Sequence, residues 1–301
     1  MSIALFGFSC KSVLPSVLPS VFKKGTLHEQ YVDLLQKKGI DETAEGRRWL
    51  EASKAALYNS KSVKLPLKQS NAFKVDSQYA VGIRFKAVHG QRIEVDLNKD
   101  STNNFVVYAD LYKVVNDSTF SPVYSADTSA LFFYADVNET AEYVLRMQRQ
   151  IEKKGKLKLA VRTAPSLSFP VASNKASAQS FWGADRDGGK RKHEGIDIFA
   201  KKGTPVIAAA DGYVTGVREG GIGGKTVWMR VNDKDIYLYY AHLDQQFVQD
   251  GQRVRLGDTL GLVGNTGNAR FTPAHLHFGI YTYSGAIDPL PFVGKSMSSS
   301  N

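Results

Sequence analysis

The chain has 301 residues, of which 43% are hydrophobic and 23% charged. These proportions exclude an intrinsically disordered chain, and the length predicts about two domains. The 39 Lys and Arg residues outnumber the 29 Asp and Glu residues, giving a formal net charge of +10 that favours anionic partners. No nucleic-acid-binding motif accompanies this charge, so we predict that nucleic acid is not a partner.

The chain contains one cysteine, Cys10, which excludes an intramolecular disulfide and a multi-thiolate metal site. Cys10 closes a short apolar run, residues 3–9, that resembles the end of a bacterial lipoprotein signal but lacks its positively charged first part. We therefore interpret residues 1–26 as a signal-like segment and tether, with either a lipid anchor at Cys10 or a plain apolar start. No stretch approaches the roughly 20 apolar residues of a membrane span.

Residues 27–60 predict a helical hairpin. The first helix stops near Gly39, and the second begins after Asp41 and includes Trp49 and Leu57. The apolar stripe that we expect the first helix to bury consists of Leu27, Tyr31, Leu34 and Leu35.

Residues 61–163 predict a β-sandwich accessory domain. Apolar and polar residues alternate with period two in several short segments, which is typical of antiparallel strands with one buried face. His28 and His89 are isolated, and we predict structural or solvated roles for them. The alternating apolar residues are Val81, Ile83 and Phe85, then Ile93, Val95 and Leu97, then Leu157, Leu159 and Val161.

A second domain is predicted over residues 164–295. Its first part mixes Pro, Ser and Ala, which indicates a short linker followed by a strand at residues 167–171. Strand and turn patterns continue to its end, so the whole chain is predicted to be mainly β. The polar tail, residues 296–301, has no periodicity and predicts disorder.

Four of the six histidines lie within residues 193–277, and Asp197 follows His193 by four positions. His275 and His277 are two apart in a segment that favours a strand, so both should lie on one face while Leu276 points into a core. A catalytic zinc ion takes nitrogen or oxygen atoms from three protein ligands and keeps one position for water. With His242 included, the cluster indicates the surroundings of one zinc centre.

Two other motif interpretations fail. Residues 193–197 nearly match the H-E-x-x-H helix of another protease class, with Glu194 as base, but Asp197 replaces the final His and Gly195 would interrupt the helix. Residues 220–226 suggest a phosphate-binding loop, but Glu219 stands where Gly is required and a strand follows. We predict a hairpin loop beside the substrate groove instead.

The C-terminal motifs together resemble those of the LytM/lysostaphin-type (M23) zinc endopeptidases of bacterial cell walls. This resemblance covers about residues 166–295. The front sandwich has a separate, faint resemblance to the jelly-roll accessory domains found beside secreted peptidases. One departure is residues 270–274, where the family usually has a shorter turn. The matching motifs, in the family's order, are residues 193–206, 209–214, 240–243, 251–257, 261–267, 275–278 and 288–289.

The resemblance implies an antiparallel β catalytic domain with one zinc ion per chain. It implies that His193, Asp197 and His277 bind zinc, and that His242 and His275 flank the metal as acid–base and oxyanion-binding groups in an order that sequence leaves open. The implied activity is hydrolysis of peptide bonds in peptidoglycan, in the bacterial cell envelope. Two alternatives are an inactive LytM-like regulator of another wall hydrolase and a zinc peptidase acting on other peptides. Oligomeric state and the bond cleaved stay open.

Overall fold

The computed structural model describes residues 25–70, 72–73, 78–99, 106–151, 153 and 155–296. The predicted signal-like segment with Cys10, and residues 297–301 of the predicted tail, lie outside these residues. No helix within the described ranges combines the length and apolar character that a membrane crossing requires. The fold is mainly β, as the sequence predicts.

The chain begins with the predicted helical hairpin, α1 (Leu27–Lys37) and α2 (Ala44–Tyr58). Threonine caps start both helices: Thr26 Oγ1 accepts a hydrogen bond from Glu29 N at 3.1 Å, and Thr43 Oγ1 accepts one from Gly46 N at 3.0 Å. The predicted buried face of α1 is wrong in part. Leu27 and Leu34 are exposed, whereas His28 and Leu35 are buried.

The face of α1 is shifted because His28 has partners inside. Its Nε2 lies 2.6 Å from Gln148 Oε1, and its ring stacks on Trp49 at a centroid distance of 5.2 Å. A buried polar side chain with a hydrogen-bond partner can replace an apolar one at a helix–sheet contact. A prediction of the buried face of α1 from its apolar residues alone therefore misses the position of His28.

Two antiparallel sheets form the first domain and enclose its core. One has the strand order β1-β3-β8-β5-β6, in which β1 alone runs parallel to its neighbour, and the other has the order β2-β9-β4-β7. Ile93, Val95 and Leu97 are all at most 2% exposed, as their alternation predicts. The strands are β1 (Lys61–Ser62), β2 (Leu67–Gln69), β3 (Ala80–Ala87), β4 (Gln91–Lys99), β5 (Val107–Asn116), β6 (Thr119–Ser125), β7 (Phe132–Asp136), β8 (Ala141–Arg149) and β9 (Leu157–Pro165).

The second domain is built on a long antiparallel sheet of order β10-β13-β21-β17-β16-β15-β19, with β22 paired to β21. A smaller sheet, β14-β20-β18, and the hairpin β11–β12 complete its strands. The elements are β10 (Ser177–Ser180), β11 (Asp185–Arg186), β12 (Arg191–Lys192), β13 (Ile196–Phe199), β14 (Pro205–Ile207), β15 (Gly212–Arg218), β16 (Lys225–Val231), β17 (Tyr237–Leu243), β18 (Gln245–Gln246), β19 (Arg253–Val254), β20 (Thr259–Leu262), β21 (His275–Thr282), β22 (Gly285–Ile287) and α3 (Leu290–Val293), with 3₁₀ helices at Asp187–Gly189 and Gly267–Phe271.

The strand predicted at residues 167–171 does not form. Leu167, Phe169 and Val171 are buried in the core of the second domain, so the alternation is real, but only Val171 makes a bridge, to Val206. The backbone of this segment changes partner at almost every residue: Leu167 N donates to Phe292 O and Ser168 N to Ala209 O. Pro170 also lacks the N–H group that a ladder needs.

The two halves touch directly. Gly90, in the turn between β3 and β4, packs so closely on α3 that a Cβ atom there would lie 2.3 Å from the Phe292 ring. Lys234, in the turn between β16 and β17, forms an ion pair with Asp136. The domain boundary at residue 164 stays a prediction; β9 ends at Pro165, one residue past it.

Candidate metal centre

Three neighbouring strands, β13, β21 and β17, carry most of the candidate site. Asp197 on β13 lies directly opposite His277 on β21, which lies opposite Ala241 on β17. Directly opposed residues of an antiparallel pair share one face of the sheet. The register therefore brings the Asp197 carboxylate to the His277 ring, while Leu276 and Phe278 are fully buried on the other face.

His193 enters this face from the end of the hairpin β11–β12. Its N–H donates to Ala184 O at 2.8 Å, and its carbonyl accepts from Gly183 N at 2.9 Å. Gly195 then allows the close approach of His277. A Cβ atom on Gly195 would lie 2.8 Å from His277 Cε1 and 2.5 Å from Phe278 O, so this position requires glycine.

Three potential ligand atoms form a nearly regular triangle. His193 Nε2 lies 3.0 Å from Asp197 Oδ1 and 3.0 Å from His277 Nδ1, and Asp197 Oδ1 lies 3.1 Å from His277 Nδ1. Tetrahedral zinc bonds of about 2.0–2.2 Å separate ligand atoms by about 3.3–3.6 Å. These three residues form the group in the described chain that could hold a metal ion, and slight expansion would fit them to zinc.

Backbone carbonyl groups orient three of the four imidazoles. The Nδ1 atoms of His193, His242 and His275 each lie 2.9 Å from a carbonyl oxygen, those of Phe181, Thr266 and Pro273. Because a carbonyl can only accept, Nδ1 carries the proton in each neutral ring, and the lone pair is on Nε2. All three Nε2 atoms are therefore acceptors, as metal binding or proton abstraction requires.

His242 reaches the cleft through an irregularity in β17. Its φ angle is +62°, in the left-handed region, and the register between β16 and β17 shifts at this point. Its N–H donates to Gly223 O at 2.8 Å. A bulge of this kind re-aims a side chain, and non-glycine residues with positive φ are concentrated at functional sites.

The electrostatics keep the centre in the form that binds a cation. Burial alone would raise the pKa of Asp197, but the neighbouring His193 and His277 rings outweigh burial, so the pKa lies well below its usual range. Burial lowers the pKa of His242 to about 4, with smaller contributions from the neighbouring His275 and His277 rings. Burial also lowers the pKa of His277. Asp197 is thus ionised, and His242 and His277 are neutral, near pH 7.

These groups face a cleft of about 510 Å³. The loop between β15 and β16, predicted as a hairpin loop, borders it with Ile222 and Gly223. Asn268 lies beside this loop, since its N–H donates to Ile222 O at 3.0 Å. The unusual residues 270–274 contribute Thr272. The cleft is also lined by Ser180, Arg186, Arg191, Phe199, Tyr239, Ala241, Ala269 and Tyr281.

The structure brings all five predicted site residues, His193, Asp197, His242, His275 and His277, to this cleft. Sequence reasoning missed Arg186, whose Nη2 donates to Asp197 Oδ2 at 2.8 Å. The sequence offered only an indirect indication of such a residue: a carboxylate that binds a metal through one oxygen needs a hydrogen-bond partner for the other oxygen.

Residues 191–289 match the sequence profile of Peptidase family M23. The C-terminal half of this chain contains a family M23 peptidase domain. The M23 domain accounts for the order of its motifs and for the surroundings of the histidine cluster.

Several curated proteins are similar to this chain. The L-Ala--D-Glu endopeptidase of Bacillus subtilis is 31% identical over 173 residues, which are 54% of this chain and 52% of that protein. The uncharacterized lipoprotein YgeR of Escherichia coli is 32% identical over 48% of this chain and 60% of its own length. The peptidoglycan DD-endopeptidase ShyC of Vibrio cholerae is 39% identical over 29% of this chain and 20% of its own length. The chain thus spans less than two thirds of these relatives.

Among solved structures, the catalytic domain of lysostaphin from Staphylococcus simulans is 31% identical to this chain, with a TM-score of 0.36. The match covers 40% of this chain and 91% of the lysostaphin domain.

Proposed function

We propose that this protein is a zinc-dependent endopeptidase that hydrolyses peptide bonds in peptidoglycan. The observation that carries the proposal is the triangle of His193 Nε2, Asp197 Oδ1 and His277 Nδ1, with two further imidazoles facing the same open cleft. The presence of an M23 peptidase domain around these residues supports the same activity.

The donor set fits zinc. Two imidazole nitrogens and one carboxylate oxygen are a common ligand set of catalytic zinc, and three protein ligands keep a fourth position open. His193, Asp197 and His277 would hold the ion, one per chain. When bound, zinc acidifies water and polarises a carbonyl group.

His242 and His275 move the proton. Each presents an Nε2 lone pair to the cleft, so either ring can accept a proton from the attacking water. The protonated ring then donates at the same Nε2 atom to the leaving amine nitrogen. The other ring binds the oxygen of the tetrahedral intermediate when its own Nε2 is protonated and can donate. The two ring centroids are 5.0 Å apart, close enough to serve one scissile bond.

The substrate assignment rests on charge and on the relatives. Arg186 and Arg191 line the cleft, and the chain carries a formal net charge of +10, which suits the carboxylate-rich peptides of cell walls. Two of the similar proteins are named as endopeptidases of L-Ala--D-Glu bonds and of peptidoglycan. We place the activity in the bacterial cell envelope, with anchoring through Cys10 as part of the proposal.

The test combines metal analysis with product analysis. Purified protein should contain one zinc ion per chain and should release new amino groups from purified peptidoglycan, with the products identified by mass spectrometry. Asp197→Ala and His277→Ala should lose both zinc and activity. Zinc-loaded protein that leaves peptidoglycan intact but cleaves casein would favour a peptidase of other substrates, and inactivity on both would favour a regulatory domain.

A further inference from the structure

We propose that Arg186 is a positioning residue that fixes the Asp197 carboxylate at the metal centre. It does so by binding the oxygen that Asp197 does not direct at the histidines. The inference rests on the proposed zinc site but adds a residue outside the range 191–289 that matches the M23 profile.

The two carboxylate oxygens of Asp197 have separate partners. Oδ1 lies 3.0 Å from His193 Nε2 and 3.1 Å from His277 Nδ1. Oδ2 accepts a hydrogen bond from Arg186 Nη2 at 2.8 Å. The same nitrogen also lies 2.6 Å from Ser180 Oγ, so the guanidinium group is itself held in place.

One hairpin delivers both Arg186 and His193. Arg186 ends β11 and pairs with Arg191 at the start of β12, which runs directly into His193. An ion pair of 2.6 Å between Asp185 and Lys192 spans the hairpin one register position away. The guanidinium group and the first imidazole therefore keep a fixed relation to each other.

The contact has two chemical consequences. A carboxylate with both oxygens free can bind a metal ion through both and occupy the position that water needs; a guanidinium bond to Oδ2 opposes this. The positive charge also offsets the charge of the carboxylate, whose side chain is only 12% exposed. Arg186 should therefore favour one-oxygen binding by Asp197 and an open fourth position.

Arg191 provides a matched control. It lies in the same hairpin and lines the same cleft, but its Nε pairs with Asp187 Oδ2 at 2.6 Å, and the two side chains are 42% and 56% exposed. Loss of Arg191 removes the same charge from the same wall without touching Asp197.

The experiment measures metal binding by the full chain. Zinc affinity is obtained by competition with a chromophoric chelator, and coordination from the visible spectrum of the cobalt(II)-substituted protein. Arg186→Met should bind zinc roughly 10–100-fold more weakly, as for other residues that orient metal ligands. Its cobalt bands should weaken, because a higher coordination number lowers their intensity. Arg186→Lys should recover part of the affinity, and Arg191→Met should match the wild type.

Circular dichroism separates these effects from unfolding, and Arg186→Gln replaces the Met variant if that variant does not fold. Wild-type affinity and spectrum in the neutral Arg186 variant would overturn the proposal while leaving the proposed peptidase intact. An equal loss in Arg191→Met would also overturn it, because general cleft charge would then explain the effect. A wild-type chain that binds no metal would refute both proposals.

Discussion

His242 and His275 stand apart from the three proposed ligands. His275 Nε2 lies 4.0 Å from Asp197 Oδ1, whereas the three ligand atoms lie within 3.1 Å of one another. Both rings are hydrogen-bonded through Nδ1 to backbone carbonyl oxygens. They are therefore fixed where they can reach a substrate without completing the metal site.

We expect His242→Ala and His275→Ala to retain zinc but to lower kcat by roughly 10²–10⁴-fold, the usual contribution of a positioned acid–base group. The measurement is peptidoglycan hydrolysis at fixed zinc content. His89→Ala, a histidine on the first domain, is the control and should keep full activity. Wild-type turnover in both cleft variants would show that neither ring moves the proton.

Gly195 is the position where a single methyl group should damage the metal centre. Gly195→Ala places a Cβ atom 2.8 Å from the His277 ring, which must shift, and we expect roughly tenfold or greater loss of zinc affinity. Gly216→Ala is the control, because its Cβ would meet no atom closer than 3.6 Å. Chelator competition on both variants tests this, and equal affinities would contradict it.

Sequence reasoning is strongest for residues whose pattern is local. The period-two spacing of His275 and His277 is enough to place both side chains on one face. Arg186 could not be found this way, since residues 185–192 contain five other basic or acidic residues. Only the hairpin, which turns the chain between β11 and β12, selects Arg186 as the partner of Asp197.

At the scale of elements, a buried polar network attaches the helical hairpin to the first sandwich. Arg146 Nη2 donates to Asp110 Oδ2 at 2.6 Å and Arg146 Nη1 to Ser53 Oγ at 3.0 Å. His28 joins it through Ser53, whose Oγ lies 3.3 Å from His28 Nε2. The same Nε2 lies 2.6 Å from Oε1 of Gln148, 120 residues away in sequence. The existence and bounds of α1 follow from caps and periodicity, but its buried face depends on these distant partners.

This network predicts a pH-dependent stability. Burial, followed by the charge of Arg146, lowers the pKa of His28 from 6.5 to about 4. Between these pH values the unfolded chain binds a proton that the folded chain does not, so this contribution is complete above pH 6.5 and is lost as the pH falls towards 4. The loss is about 3 kcal/mol in the free energy of unfolding.

Urea unfolding at a series of pH values provides the measurement. His28→Gln keeps a polar side chain but cannot titrate, so its stability should fall less than that of the wild type between pH 6.5 and 4. Other ionisable groups affect both proteins equally. Parallel curves for the two proteins would contradict the assignment to His28.

At the scale of the whole molecule, the two domains meet where α3 lies against the turn between β3 and β4. Phe292 of α3 lies against the turn that contains His89 and Gly90, with ring centroids of Phe292 and His89 5.1 Å apart. Asp136 binds both Arg92 of its own domain and Lys234 of the other. The alternation of apolar and polar residues predicts the two domains. It does not predict which residues of one domain contact the other.

We expect a fragment of residues 164–301 to fold, bind zinc and hydrolyse wall peptides, because every proposed site residue, Arg186 included, lies within it and the second core is its own. The fragment should be less stable than the same domain in the full chain, because it lacks His89 and Gly90, which pack on the Phe292 side chain. Full burial of a Phe side chain contributes about 1.5–3 kcal/mol, which sets the upper limit of the loss. Thermal unfolding and zinc analysis of both proteins test this.

The outcome also defines the role of the front domain. Higher activity of the fragment would indicate autoinhibition, and loss of activity only on intact walls would indicate targeting. A fragment that does not fold would refute the boundary at residue 164.

The distance along the chain between the proposed ligands sets the order of folding events. His193 and His277 are 84 residues apart, and Asp197 meets His277 only when β13 has paired with β21. Contacts of such separation form late, because the intervening chain must first be closed into a loop. Before that step, only two of the three proposed ligands, His193 and Asp197, are close to each other in sequence.

Zinc should therefore act on the lifetime of the folded protein rather than on its formation. A ligand that binds only after the rate-limiting pairing slows unfolding and leaves the folding rate unchanged. Stopped-flow refolding and unfolding with and without zinc would show this as a shift of the unfolding limb alone. Once loaded, the protein would unfold more slowly, and chelation would shorten its life without first changing its fold.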